Sequence, residues 1–129
     1  MMTELTENVN WLAVVIGTVL SFILGWLWYS PKLFAKKWIE GVNAKGDGST
    51  TPPGSAMIMQ LLGTFLLSWL VGITAAHNAL ATIILIAVTI MVVIAANGFF
   101  IGKSNYAIAT EAGFVAAMTV VMIAVQAIL

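Results

Sequence analysis

Glu111 is the residue of this sequence best placed to do chemistry, because it is the one ionisable residue inside a long apolar stretch. A carboxylate in hydrocarbon is costly unless it is paired, hydrogen-bonded or protonated, so we expect it to face a helix bundle or a subunit interface. It falls about 7 Å inside its helix, given the rise per residue of an α-helix. That depth fits two roles: a cation or proton site, or a polar link between helices.

Other polar side chains are predicted at a similar depth and would complete a site around Glu111. Amides and phenols can donate hydrogen bonds to a carboxylate, and an ammonium can pair with it. The candidates are Asn97, Asn105, Tyr29 and Lys103. On a helical wheel Glu111 and Gly113 are about 200° apart, so the acid and the small residues of this helix occupy opposite faces. The helix should then be central in the bundle or shared with another subunit.

The sequence lacks the residue groupings that most enzymes need. It has no cysteine and a single histidine, His77, and it has no nucleophile with a base, metal-ligand cluster or phosphate-binding loop. His77 lies between two apolar stretches, where we expect it to cap a hairpin at the membrane interface rather than bind a metal or relay protons. We therefore predict no enzyme, no cofactor and no metal site.

The composition indicates a membrane protein. Apolar residues make up 61% of the 129 residues and charged residues only 8%, against roughly 25% charged residues in an ordinary soluble domain. Five lysines balance five acids, with no arginine, so nucleic-acid binding is not expected.

Four apolar stretches are each close to the roughly 20 residues that span a bilayer as a helix. They run over about 11–28, 56–76, 80–101 and 106–129. Each is much longer than a barrel strand of about 10 residues, and none alternates with a period of two. The predicted fold class is an all-α polytopic membrane protein: one domain of four transmembrane helices, with a short interfacial helix at about 31–42 and a flexible loop at about 43–55.

The lysines set the predicted orientation. All five lie between the first and second spans or between the third and fourth, and none flanks the other ends: Lys32, Lys36, Lys37, Lys45 and Lys103. Because lysine-rich loops stay in the cytoplasm, both termini should face the non-cytoplasmic side.

An amphipathic helix is predicted directly after the first span. Ser30 and Pro31 have the residue types of an N-cap and a first helical position. From there apolar side chains fall on one face and lysines on the other, as in a helix lying in the membrane interface. We expect contacts with the headgroups of anionic lipids from Lys32, Lys36, Lys37 and Trp38. The alternative is a plain connector with such lipid contacts.

Small residues recur every four positions in the spans, which lets helix backbones approach closely in lipid. The first span has four of them, and the later spans have shorter series. The residues are Ala13, Gly17, Ser21 and Gly25; Ser68, Gly72 and Ala76; Gly98 and Gly102; and Ala109, Gly113 and Ala117. They predict tight packing within the bundle or, at one of these faces, a homo-oligomer.

Two motifs resemble the small bacterial membrane proteins of domain-of-unknown-function family 1761. The first is a W-Y-S-P motif that closes the first span, here Trp28, Tyr29, Ser30, Pro31, Leu33, Phe34, Lys37 and Trp38. The second is Asp or Asn followed by Ala-Gly-Tyr, which matches Glu111 to Phe114 with a longer acid and without the tyrosine hydroxyl. The resemblance implies a four-helix fold in a bacterial inner membrane and no established activity, substrate or cofactor.

Two functions fit the sequence. The packing faces and the few reactive groups favour a non-enzymatic accessory or homo-oligomeric membrane subunit. The alternative is a small proton- or cation-coupled transporter or channel that uses Glu111. In size and helix count the chain is similar to the small multidrug-resistance exporters, but those carry their membrane acid in the first helix, where this chain has none.

Overall fold

Helices make up the fold in the computed structural model, which describes residues 2–30, 33, 35–41 and 54–129. The described parts contain α1 (Met2–Thr6), α2 (Trp11–Trp28), α3 (Ala35–Gly41), α4 (Gly54–Ala76), α5 (Leu80–Phe100) and α6 (Asn105–Ile128). The helices α2, α4, α5 and α6 are long and apolar enough to cross a membrane. The predicted class, an all-α polytopic membrane protein with four spans, is confirmed.

The ends of the four long helices lie within two residues of the predicted spans. The segment predicted as an interfacial helix contains α3, while its predicted start at Pro31 and its end at Val42 lie outside the described residues. The predicted loop at 43–55 is described only at its last two residues, and these already belong to α4. The short helix α1 was not predicted.

Side-chain and backbone caps fix the helix ends. The Asn10 side chain accepts from the Ala13 amide at the start of α2, and the Ser104 hydroxyl accepts from the Ala107 amide at the start of α6. Both are N-cap bonds that satisfy an amide with no partner inside the helix. At the turn from α4 to α5, Asn78 adopts a φ of 52°, and the His77 ring contacts the Ile73 carbonyl at 2.9 Å.

Helix α6 is the central element, since it contacts α2, α3, α4 and α5. Nine of its 24 residues are buried, against three of 21 in α5. The core between the helices contains Leu67, Val71, Ile83, Phe114, Val115, Met118 and Met122. The end of the bundle where α2 and α5 finish and α4 and α6 begin is called the Lys103 end here, and the opposite end the His77 end.

Small residues on α2 face the inside of the bundle. Ala13 and Ser21 are fully buried, and a Cβ atom on Gly17 would lie 2.8 Å from the Ser68 hydroxyl. A Cβ atom on Gly25 would lie 2.8 Å from the Phe114 ring. The series on α2 therefore packs within the chain, against α4 and α6.

The small residues near the α5–α6 turn have different uses. A Cβ atom on Gly98 would lie 2.6 Å from Ile108, so Gly98 permits the close approach of α5 and α6. A Cβ atom on Gly113 would lie 3.4 Å from the Trp28 ring. Gly102 was predicted to pack as well, but it follows the end of α5, has a φ of 80°, and a Cβ atom on it would meet nothing within 4 Å. Its role is conformational, because a positive φ strains other residues.

Candidate functional site

The carboxylate of Glu111 is the centre of a polar cluster at the Lys103 end. Lys103 Nζ donates to both carboxylate oxygens, at 2.8 and 2.9 Å. Trp38 Nε1 donates to Oε2 at 2.9 Å. The side chains of Lys103 and Glu111 are 22% and 14% exposed, so the ion pair is largely shielded from the surroundings.

The turn between α5 and α6 positions Lys103. The Lys103 amide donates to the Gly98 carbonyl at 2.9 Å and the Gly102 amide to the Phe99 carbonyl at 3.2 Å. This pair of bonds around a residue of positive φ is the Schellman arrangement that ends many helices. Glu111 lies two turns into α6, and helical side chains lean towards the N-terminus of their helix. The carboxylate therefore leans back towards the ammonium that follows the turn.

Trp38 brings α3 to the cluster. Its ring meets the Tyr29 ring edge to face, with centroids 5.0 Å apart, while its N–H donates to Glu111. Trp38 was predicted to contact lipid headgroups together with the lysines, whereas in the structure its indole N–H faces the bundle. An indole needs a partner for its single polar group when it is partly buried, and the acid provides one.

An aromatic wall, formed by Trp28, Tyr29 and Phe114, lies next to the polar cluster and packs with the core. Tyr29 and Phe114 meet edge to face at 5.4 Å, and Trp28 lies 6.1 Å from Phe114. Trp28 Nε1 also donates to the Thr110 carbonyl at 3.0 Å. These contacts join the end of α2 to the first turns of α6, next to Glu111.

Tyr29 is close to the acid, but the described contacts include no hydrogen bond between the two. Burial, and then the negative charge of Glu111, raises the pKa of the Tyr29 hydroxyl above its usual value. Both effects disfavour the phenolate. Tyr29 is thus a neutral member of the wall, in contact with Trp38 and Phe114 rather than with the carboxylate.

The two predicted amides do not join the cluster. Asn97 and Asn105 are exposed, and within residues 54–129 neither donates to Glu111. Gly98 faces α6 at close range, and the preceding residue is about 100° away around the helix, which turns Asn97 outwards. Of the predicted partners, Lys103 is the one that pairs with the acid.

The chemistry of this cluster is that of a closed ion pair. Three hydrogen bonds from two donors occupy the two carboxylate oxygens, and the ammonium lies where a bound cation would have to lie. A metal ion would need further ligands, and the described residues contain no group of three His, Cys, Asp or Glu side chains. The arrangement neutralises the acid inside the protein.

Two depressions lie elsewhere on the bundle. A cavity of about 360 Å³ opens between α4, α5 and α6 at the His77 end, next to Gln126, whose Nε2 is buried without a hydrogen-bond partner. A shallower depression of about 250 Å³ lies between α3 and the start of α6. Glu111 lines neither of them.

Helix lengths, apolar surfaces and a polar cluster at one end define this chain as a small polytopic membrane protein built on a four-helix bundle. Residues 12–127 match the family described as protein of unknown function DUF1761, and the chain belongs to that family. The family expected from the sequence is thereby confirmed. No curated protein and no solved structure matches the chain.

Proposed function

We propose that the protein acts by assembly within the membrane, as a homo-oligomer or as an accessory subunit of a membrane complex, and not as an enzyme. The observation that carries this proposal is the exposure of the Asn97 side chain on α5. Asn97 is followed in the chain by the exposed apolar residues Phe99, Phe100 and Ile101. The amide therefore lies inside the apolar band, where a polar group without a partner is costly.

The rest of α5 supports an interface on the same helix. Its buried residues are only Ile83, Ala87 and Gly98, and Leu85, Val92 and Val93 are all more than half exposed. Thr89 is also exposed, but its hydroxyl donates to the Leu85 carbonyl and is satisfied within the helix. Within the described part of the chain, Asn97 is the exposed amide of α5 that has no such bond. The exposed Thr82 hydroxyl has none either, but it lies in the first turn of the helix, at the His77 end.

A second copy of the chain is the partner that suits this face best. An asparagine amide both donates and accepts, so two copies of Asn97 related by a twofold axis can exchange hydrogen bonds with each other. Twofold dimers are the commonest oligomers, and in them the same surface of each subunit meets. The small residues of α2 already pack inside the chain, so they do not offer a surface to a second subunit. This favours α5 as the interface helix.

Glu111 favours assembly over transport. A coupling acid must exchange its proton or cation with solvent, whereas this carboxylate is bound by Lys103 and Trp38 and lines neither described depression. The same bonds suit a structural role, because they join α3, the α5–α6 turn and α6.

Cysteine crosslinking tests the dimer directly, since the chain has no cysteine of its own. Single cysteines at Val93 and Ala96, both exposed on α5, should form disulfide-linked dimers when membranes are oxidised. A cysteine at Val19, exposed on α2, is the matched control and should remain monomeric. Equal crosslinking at all three positions, or none at any, would count against an interface on α5.

Asn97→Leu tests the amide itself. Interhelical hydrogen bonds in membranes contribute about 0.6 to 2 kcal/mol, so the variant should dimerise roughly 3- to 30-fold more weakly in lipid dilution experiments with fluorescently labelled protein. Glu111→Gln tests the transport alternative. If liposomes containing the wild-type protein show proton-linked flux, and the variant abolishes this flux while its oligomer stays intact, transport would be favoured instead.

The proposal includes an orientation, with the Lys103 end at the cytoplasmic face of a bacterial inner membrane. All five lysines lie in the segments that join α2 to α4 and α5 to α6, which supports it by the positive-inside tendency. A cysteine at Asn78 should react with an impermeant maleimide in intact spheroplasts, and a cysteine at Ser104 only after permeabilisation. The reverse labelling pattern would show that the topology is opposite to the proposed one.

A further inference from the structure

Opposite charges flank the shallow depression at the Lys103 end. Its lining residues are Lys37 and Glu40 of α3, and Ser104 and Tyr106 at the start of α6. The Trp38 side chain, between the two charged residues in sequence, binds Glu111 on the bundle side. That bond fixes the distance between α3 and α6, so the depression has defined walls.

Lys37 and Glu40 do not pair with each other, although residues three apart on a helix are close enough for an ion pair. Lys37 Nζ lies 5.4 Å from the centroid of the Tyr106 ring, within the range of a cation–π contact. Within the residues that the structure describes, the Glu40 carboxylate has neither an ion pair nor a hydrogen bond. A cation and an anion therefore line one depression with their charges uncompensated by each other.

The third polar group of the depression is the Ser104 hydroxyl. Its oxygen accepts from the Ala107 amide at 3.0 Å, and a hydroxyl that accepts still has its hydrogen to donate. That hydrogen and the Lys37 ammonium are donors suited to a phosphate, while the Glu40 carboxylate is an acceptor suited to an ammonium.

Size and position limit the ligand. At about 250 Å³ the depression is smaller than the roughly 300 to 1,000 Å³ of pockets for drug-sized molecules, so it fits a headgroup rather than a whole metabolite. It lies beside the first residues of α6, one of the four membrane-length helices. That is the level of the lipid headgroups.

We infer that this depression binds the phosphoethanolamine headgroup of a membrane phospholipid. Lys37 and Ser104 bind the phosphate. Glu40 accepts hydrogen bonds from the primary ammonium, which is separated from the phosphate ester oxygen by two carbons. A purely anionic headgroup such as phosphatidylglycerol leaves Glu40 near a phosphate of the same charge. Phosphatidylcholine has a quaternary ammonium without N–H donors, so Glu40 gains less from it.

Lipid binding to the purified full chain, measured by native mass spectrometry, tests this site. The three lipids carry identical acyl chains and the ethanolamine, glycerol or choline headgroup. Exposed ion pairs contribute up to about 1 kcal/mol, so wild type should bind phosphatidylethanolamine roughly two- to five-fold more tightly than the other two lipids. Glu40→Gln should abolish this preference while binding of phosphatidylglycerol is retained or improved. Lys37→Gln should weaken binding of phosphatidylethanolamine and of phosphatidylglycerol by a similar factor.

Glu4→Gln is the matched control, because it removes an exposed carboxylate from α1 and should preserve the ethanolamine preference. An unchanged preference in Glu40→Gln, the same loss in Glu4→Gln, or a wild-type preference for phosphatidylglycerol would overturn the inference. Soluble phosphoethanolamine that displaces the lipid at equal concentration would assign the site to a free metabolite and overturn the lipid assignment. The site does not include α5, so these results are independent of the proposed dimer.

Discussion

The indole N–H of Trp38 donates to Glu111 Oε2 at 2.9 Å, although the two residues are 73 positions apart. Because Lys103 pairs with the same carboxylate, one acid joins the short helix α3, the α5–α6 turn and the central helix α6. The other described ring contact of Trp38 is with Tyr29, at the end of α2. The polar cluster and this ring contact thus connect the end of α2, α3, the α5–α6 turn and α6 at one end of the bundle.

Trp38→Phe should loosen α3 without removing its aromatic contact. Phenylalanine keeps a ring against Tyr29 but has no donor for Glu111, and a hydrogen bond to a charged group contributes about 1.5 to 3 kcal/mol. Since Trp38 is half-buried, we expect a loss of about 1 to 2 kcal/mol in the free energy of unfolding, measured by denaturant titration in micelles. Trp26→Phe is the control, because Trp26 is 75% exposed, and an equal loss there would contradict the role given to the hydrogen bond.

Lys103→Met should destabilise the bundle more than the double variant Lys103→Met with Glu111→Gln. The single change leaves a shielded carboxylate without its cation, whereas the double change removes both charges. Loss of one partner costs about 3 to 5 kcal/mol in a fully buried pair and up to about 1 kcal/mol in an exposed one. At 22% and 14% exposure, a double-mutant cycle should give a coupling of roughly 1 to 3 kcal/mol, and additive single effects would show that the pair contributes nothing.

The four spans could be predicted from the sequence because each is a continuous apolar run. Such a run forms a helix in lipid, because a helix satisfies the backbone hydrogen bonds within the segment itself. The importance of Glu111 was predictable for the same reason, as a charge within one of these runs must have a partner. The pairing of Lys103 with Glu111 could also be predicted, since Lys103 lies two residues before the start of α6, the helix that contains Glu111.

The choice among partners depended on rotation about the helix axis, which composition does not fix. Asn97 has the right depth, but Gly98 must face α6, and that contact turns the amide away from the acid. Trp38 belonged to an apolar face that fits lipid and protein equally well. Its donor reaches Glu111 only because α3 packs on α6, a tertiary contact that no local pattern in this sequence indicates.

Gly98→Ala should destabilise the packing of α5 on α6, while Gly63→Ala should not. A Cβ atom at position 98 would lie 2.6 Å from Ile108 Cγ1, and at position 63 it would meet nothing within 4 Å. Overpacking of this kind costs about 1 to 3 kcal/mol, whereas alanine in an open helical position is favoured over glycine by up to about 1 kcal/mol. Thermal melts followed by circular dichroism compare the two variants directly. Equal melting temperatures would show that α5 does not approach α6 as closely as the structure indicates.

The Tyr29 hydroxyl should resist ionisation at alkaline pH. Burial and the charge of Glu111 raise its pKa in the folded protein above the usual value of 10.0. Between the unfolded and the folded pKa the native state binds more protons than the unfolded state, so stability is retained below about pH 10 and falls as the pH rises further. The chain has two tyrosines, so the difference in tyrosinate absorbance between wild type and Tyr29→Phe isolates this group. A difference signal that titrates at the ordinary pKa would contradict its buried position, and Tyr29→Phe should also lose less stability than wild type as the pH rises above 10.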